Sequence, residues 1–344
     1  MVTAYDVAKR AGVSMGTVSR YITGNGYVGD ASRAKIASAI EALGYIPNRA
    51  AASLTTKNTG LLGFVVSDLR NPFTAEIASS LSQHARMHGY GLVLSDSMND
   101  PGISLEAIER MRAHGVDGLI VTPPESRSLN DALIAAAPTL PIVGIGLRTT
   151  PQVTDLVTSD TRAGAISAVE HLLELGHRRI SYVGSSSMAS GRYRGYEAAL
   201  ALAGLPTDPE LVVVGELNRA SGFAALEALL ALSDPPTAIF AANDAVALGI
   251  IQAAHEHGVS VPGQISVVGY DDVDLAAHSV PPLTTVAQPL AAMGQAAVEL
   301  LVSRLQGADR HRASEEVVLP VRLVIRGSTA SHTQTSPLLR KGIR

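Results

Sequence analysis

Tyr5-Asp6-Val7-Ala8-Lys9-Arg10-Ala11-Gly12-Val13-Ser14-Met15-Gly16-Thr17-Val18-Ser19-Arg20 reads as two short helices that meet at a glycine turn. Thr3 can cap the first helix, with Asp6 three positions on as its capping-box partner. Val7, Ala8 and Ala11 give that helix one small apolar face, and Gly12 stands where a left-handed or tight turn residue is needed. Ser14 then caps a second helix from Met15 to about Thr23, with Val18 and Ile22 turned inward at i, i+4. This is the layout of a helix-turn-helix, a motif whose second helix lies in the DNA major groove.

Outward from that pair, Gly24-Asn25-Gly26-Tyr27-Val28-Gly29 is a loop by its glycines. Asp30 or Ser32 starts a third helix, with Ile36, Ala39, Ile40 and Leu43 as its apolar stripe and Gly44 as its stop. Pro47 enforces an extended entry to a short run, Arg49 to Thr55, that Asn48 can cap. Such a run is too short to be stable as an isolated helix, because nucleation is costly. Residues 48–60 are therefore expected to be a linker between residues 1–47 and the rest of the chain.

The charge distribution points the same way. The net charge of −4 hides a split: residues 1–60 hold seven Lys/Arg against three Asp/Glu, and the remainder twenty against twenty-eight. A basic module on an acidic body fits nucleic-acid contact at one end only. At 344 residues two or three domains are expected. The absence of cysteine excludes disulfides and thiolate metal sites and suits a reducing cytoplasm. No basic segment followed by an apolar one opens the chain, and no uncharged apolar run of about 18 residues occurs, so neither a signal peptide nor a membrane span is expected.

From Leu61 the rhythm becomes strand, turn, helix. Leu61-Leu62-Gly63-Phe64-Val65-Val66 is a continuous apolar run, as a parallel strand buried on both faces should be. Strands are expected at 91–95, 118–122 and 141–145, with helices at 73–88, 104–114 and about 129–137. A second series has helices at 163–175, 192–203, 221–232 and 244–257, and strands at 179–183, 210–214, 238–241 and 265–268. A last helix at 290–305 and strands near 317–319 and 322–325 follow. Two such runs read as two doubly wound α/β lobes. The tail, 331–344, reads as disordered, and without leucine heptads it offers no tetramerisation helix.

The headpiece stretch, together with Gly44-Tyr45-Ile46-Pro47-Asn48 and Ala51-Ala52-Ser53-Leu54, resembles the LacI family of bacterial transcriptional regulators. The likeness returns in Ala242-Asn243-Asp244, Val267-Val268-Gly269-Tyr270-Asp271-Asp272 and Pro281-Pro282-Leu283-Thr284-Thr285, so it covers nearly the whole chain. The resemblance implies a helix-turn-helix headpiece, a hinge helix and a two-lobed core like a periplasmic sugar-binding protein. In that arrangement 61–160 with 290–319 form one lobe and 161–289 with 320–330 the other. It also implies a homodimeric repressor of carbohydrate or related catabolic genes on a palindromic operator, answering to a small-molecule effector, with no cofactor.

Residue by residue, the resemblance gives DNA contact to Thr3, Tyr5, Ser14 and Thr17, and to the recognition-helix residues Met15, Gly16 and Arg20. It extends to Asn25, Ser32, Asn48 and Ala51, although Gly29 lacks the hydroxyl common in the family, and to Leu54 as a minor-groove wedge. Arg20, whose fork matches guanine O6 and N7, is either the main polar base reader or a phosphate clamp. Met15 offers only an apolar contact, and Gly16 no side chain at all.

In open α/β sheets ligands bind beyond the carboxyl ends of strands. Asn71, Phe73, Ser190, Arg192, Asn243 and Asp271 stand there and, with Asp160, form the effector set that the resemblance implies. One of Asn243 and Asp244 also caps a helix. The family's effector arginine stands five residues before the glycine that is here Gly195, a place held by Ser190, so Arg192 is either an effector contact or a structural arginine. Arg70 and Gly146 also depart from the family pattern, which leaves a sugar derivative with a phosphate or carboxylate open beside a neutral sugar. Enzyme readings lack their residues. Gly144-Ile145-Gly146 has no third glycine, Ser185-Ser186-Ser187 is no nucleophile elbow, and His84 with His88 has no neighbouring carboxylate for a metal. The competing reading is a ligand-binding or carbohydrate-metabolising α/β protein with an incidental helical module at its start.

Overall fold

The computed structural model describes residues 2–24, 26–45, 58–122, 131–132, 135–136, 140–146, 155–185, 190–307 and 313–332. The chain divides into two compact units, Met1–Gly60 and Leu61–Arg344. In the first, α1 (Ala4–Ala11), α2 (Met15–Thr23) and α3 (Asp30–Leu43) surround a small core of Val7, Ala8, Ala11, Val18, Val28, Ile36 and Ala39. The capping box at α1 is complete: the Asp6 amide donates to Thr3 Oγ1 at 3.3 Å and the Thr3 amide to Asp6 Oδ2 at 2.8 Å. Gly12 takes φ 65, the left-handed turn between the helices. Ser14 Oγ accepts the Thr17 amide at 3.2 Å, a cap of the kind worth about 1 kcal/mol. Helix α3 begins at Asp30, with Gly29 as a cap that lends no side chain. The expected hinge run from Asn48 lies outside the described residues.

Among the described residues, the second unit holds two six-stranded sheets. The first takes β1 (Leu61–Val66), β2 (Gly91–Asp96), β3 (Gly118–Val121), β4 (Ile142–Ile145), β5 (Asp155–Ser159) and, from far downstream, β11 (Glu316–Leu319). Its order is β11-β5-β4-β3-β1-β2, parallel throughout. The second takes β6 (Ile180–Gly184), β7 (Val212–Val214), β8 (Ala238–Ala241), β9 (Ser266–Asp271), β10 (Thr284–Ala287) and β12 (Arg322–Val324), in the order β12-β10-β9-β8-β6-β7. Only β12 runs antiparallel, against β10. The chain passes between the sheets after β5, after β10 and after β11.

Helices α4 (Pro72–Met87), α5 (Pro101–Ala113) and the late α11 (Leu290–Leu305) accompany the first sheet. One core there joins Leu62, Phe64 and Val66 of β1 to Ile77 and Leu81 of α4 and to Met293, Val298 and Leu301 of α11. The second sheet carries α6 (Thr161–Glu174), α7 (Gly191–Leu202), α8 (Arg219–Leu230), α9 (Asp244–Glu256) and the short α10 (Asp274–His278). The expected class, a helical headpiece followed by two doubly wound α/β lobes, is the one observed.

Two strands escape periodicity, β5 and β10, because both are polar yet buried. Asp155 is 6 % exposed, and its carboxylate takes Arg304 Nε and Nη2 at 2.7 Å each and the Glu315 amide at 2.8 Å. Thr158 Oγ1 donates to the Gly146 carbonyl at 2.6 Å. In β10 the Thr285 hydroxyl donates to Asp244 Oδ1 at 2.6 Å, and Thr284 Oγ1 accepts the Arg326 amide at 2.9 Å. A buried polar group is tolerated when it is hydrogen-bonded, and a one-dimensional pattern does not show the partner. Helices α5 and α8 begin earlier than their apolar patterns suggest, because Asp100 and Asn218 cap them. Residues 209–211 form a 3-10 turn that shortens the strand expected at 210–214. The expected helix near 129–137 lies largely outside the described residues, as do 333–344 of the expected disordered tail. Ser331 and His332 are placed, however: the His332 amide donates to the Leu175 carbonyl at 2.8 Å. Its ring stands 5.5 Å from that of fully buried His177, whose pKa burial lowers to about 4.

Helices α8 and α9 touch backbone to backbone. A Cβ on Gly222 would run into the Val246 carbonyl oxygen, and one on Gly249 into the Arg219 carbonyl oxygen. Gly249→Ala is therefore expected to destabilise the second unit by about 1–3 kcal/mol, since neither backbone can yield without parting the helices. A urea midpoint equal to wild type's would contradict this.

Candidate DNA-contact face and effector cleft

On the headpiece, Met15 is 48 % and Tyr5 63 % exposed, and Gly16 and Arg20 are exposed with them. Val18, in the middle of the same helix, is wholly buried. Helix α2 thus turns its inner side to the headpiece core and presents Met15, Gly16 and Arg20 outward. Three other expected DNA-contact residues are tied into the helix starts, Thr3 and Ser14 as caps and Thr17 as a partner of Ser14. Thr3 bonds Asp6, and the Ser14 and Thr17 hydroxyls lie 2.8 Å apart. Ser32 is half-buried on α3. Asn25, Asn48, Ala51 and Leu54 lie outside the described residues. Tyr27, absent from the expected set, is 88 % exposed in the loop after α2; its place in a glycine-rich loop was the only sequence signal for it.

In the second unit, the expected effector residues divide by what their side chains do. Asn71 Oδ1 accepts the Phe73 amide at 3.1 Å, Asp160 Oδ1 the Ala163 amide at 2.9 Å and Ser190 Oγ the Tyr193 amide at 3.3 Å. These are the N-caps of α4, α6 and α7. Asn243 caps α9 and also donates to the Leu217 carbonyl at 3.1 Å, with 1 % of its surface exposed. Phe73 packs against the core of the first lobe. The reason is geometric: each stands between a strand end and a helix start, where four unpaired amides need acceptors.

Arg192 and Asp271 come together instead. Arg192 Nη2 lies 3.1 Å from Asp271 Oδ1, with side-chain exposures of 12 % and 4 %. The guanidinium stacks over the Tyr270 ring at 4.3 Å. Asp271 Oδ1 also accepts Gln288 Nε2 at 2.7 Å, and Gln288 Oε1 accepts the Ser159 hydroxyl at 2.5 Å. This chain of bonds links the ends of β9 and β5 to the crossing after β10. Asp271 itself sits at φ 116, a conformation that side chains with a Cβ rarely adopt and that persists only where surrounding contacts enforce it. Among the described residues, Arg192 Nε and the Tyr270 hydroxyl are buried without a hydrogen-bond partner.

Burial raises the Asp271 pKa, while Arg192 and Gln288 pull it back down. Asp244, buried beside it and held by Thr285 and the Val273 amide, is pushed up by burial and then by the Asp271 charge. Two carboxylates in one dry site do not both ionise readily. The arginine contact places the negative charge on Asp271. Arg70 is bound in a fork to Asp68 of its own loop, at 2.9 and 3.0 Å. Across the lobes, Glu76 Oε1 of α4 accepts the Asp274 amide at 3.0 Å. Gln288 and Ser159 were missed in the sequence because the strands that present them were missed, and Tyr270 because β9 runs to Asp271, beyond Val268, where its apolar pattern was expected to end.

Comparison with known proteins bears on both halves. Residues 3–48 match the description "Bacterial regulatory proteins, lacI family", and residues 169–329 match "Periplasmic binding protein-like domain". The HTH-type transcriptional regulator DegA of Bacillus subtilis (strain 168) is 36 % identical over 333 residues, 95 % of this chain and 98 % of that protein. The chain belongs to the LacI family. A lac repressor dimer bound to operator and the anti-inducer ONPF superposes with a TM-score of 0.85 at 32 % identity, over 96 % of this chain and 99 % of that one. A complex of the transcriptional regulator CelR with cellobiose gives 0.71 at 32 % identity, over 95 % and 100 %. This LacI-family chain is a DNA-binding transcription regulator with a ligand-binding domain, and its relatives are regulators rather than enzymes. Among the described residues no helix is long and apolar enough to cross a membrane.

Proposed function

We propose that the chain is a homodimeric repressor of carbohydrate or related catabolic genes. It acts in the cytoplasm on a palindromic operator, and a sugar or sugar derivative in the cleft between its lobes changes its operator affinity. The buried Arg192–Asp271 pair at the strand ends supports this best: an ionised carboxylate, a guanidinium with a spare donor and an aromatic face suit hydroxyls that donate and accept. Arg70 and Arg192 each already face a carboxylate, which favours a neutral effector over a phosphorylated one. The dimer and the effector class draw support from the lac repressor dimer and the cellobiose complex among the similar structures. Two-fold symmetry of the dimer is mirrored in the palindrome, and Leu54 serves at its centre as the wedge. Met15 and Arg20 of α2 read the bases of each half-site.

Operator affinity is expected to fall steeply with salt, because each neutralised phosphate releases counterions. The test selects duplexes from a random pool with the purified full chain, then titrates the winner between low and physiological salt. A flat binding constant, or no preferred palindrome, would sink the reading. Cellobiose, ribose and a panel of neutral and phosphorylated sugars are then tested for thermal stabilisation and operator release.

A further inference from the structure

Arg20 is exposed on α2, and among the described residues no hydrogen bond or ion pair ties it down. Its side chain runs back towards the start of the helix. Guanidinium Nη2 stands 3.8 Å from the point that a Cβ on Gly16 would occupy. Gly16 is four residues earlier on the same face, where helical side chains lean. The stem meets the loop that follows α2: Arg20 Cδ lies 3.1 Å and Cγ 3.5 Å from the Cβ point of Gly26, which holds φ +115. Among the described residues, two close neighbours of this arginine are thus glycines.

We propose that Gly16 and Gly26 are specificity-determining residues: together they leave an open slot that holds the Arg20 guanidinium beside the first turn of the recognition helix. The proposal rests on the reading of Arg20 as a base reader. That first turn is the end of a recognition helix that meets base edges, so the slot places the planar fork at the bases rather than along the phosphates. Neither glycine reads a base. One keeps the space in front of the guanidinium empty, and the other lets the stem lie against the loop.

The two positions differ in tolerance. A methyl at 16 would make ordinary van der Waals contact at 3.8 Å, whereas a carboxylate there would reach the guanidinium as an i, i+4 partner. A methyl at 26 would meet the stem at 3.1 Å and sit on backbone that only glycine adopts freely. Gly26→Ala therefore carries a folding cost as well, and Gly16→Glu, on an exposed helix face, is the cleaner variant.

The experiment measures the full-length protein on its selected palindrome and on a set of duplexes with single symmetric base changes. Gly16→Ala is expected to keep the wild-type preference profile. Gly16→Glu is expected to flatten the preference at one G·C pair by about tenfold or more, the scale of a bidentate contact, while other positions keep their order. Adding Arg20→Ala to Gly16→Glu is expected to flatten that pair no further. Gly26→Ala, where its melting curve shows a folded headpiece, is expected to weaken the same pair. If Gly16→Glu weakens all duplexes by one factor and leaves the G·C preference intact, the slot is overturned. If Arg20→Ala alone leaves that preference intact, the base-reading role falls first and takes the slot with it.

Discussion

Replacing Arg20 by Ala is expected to cost about 1–3 kcal/mol per half-site and to relax the preference at one symmetric G·C pair. The size follows from what else the recognition helix offers. Met15 can give only a flexible apolar contact, most naturally to a thymine methyl, and Gly16 has no side chain. The guanidinium is thus left as the main polar reader on that helix, exposed and, among the described residues, unpaired. A base-by-base scan with wild type and variant checks it. Equal loss on every sequence would make Arg20 a phosphate clamp, and Met15 would have to read more than its thioether suggests.

Asp271→Ala is expected to abolish the effector response and to lower the stability of the core. Removing the carboxylate leaves Arg192, its side chain 12 % exposed, as a buried charge without its partner. Loss of one member of such a pair costs about 3–5 kcal/mol, on the order of 10 °C in the thermal midpoint for a domain of this size. The same variant also frees Gln288 Nε2 and so loosens the bonded chain to Ser159. Adding Arg192→Met is expected to restore part of the midpoint, because an apolar pair needs no partner, yet no effector response. A single variant with wild-type melting and normal operator release would show that the pair is neither buried charge nor effector site.

The headpiece was legible in one dimension because its determinants are local. A capping box needs residues three apart, a helix-turn-helix needs one left-handed glycine, and the short apolar stripes at 7, 8, 11 and 18 close on a third helix within a few dozen residues. The alternation of lobes was legible for a similar reason, since parallel strands buried on both faces are long apolar runs. The effector set was legible only as positions. Sequence could place Asn71, Ser190 and Asn243 between strand ends and helix starts, and Asp160 only ahead of a helix, and the structure shows each of them accepting helix amides.

Which residues meet was decided in three dimensions. Arg192 faces Asp271 across 79 positions of chain, and Ser159 faces Gln288 across 129. The second pairing depends on β5 and β10, strands whose polar side chains disguise them as loops, and the first on a helix start and a strand end that only the fold brings together. Asp155 with Arg304 and Thr285 with Asp244 show why: a carboxylate or hydroxyl belongs in a buried strand once its partner has been brought to it from elsewhere in the chain. Sequence by itself determined the local elements, the charge split and the family. Tertiary structure alone decided the bonded network at the crossings between lobes, because the free energy of a buried polar group is set by partners far away in the chain, and spacing along the chain does not encode them.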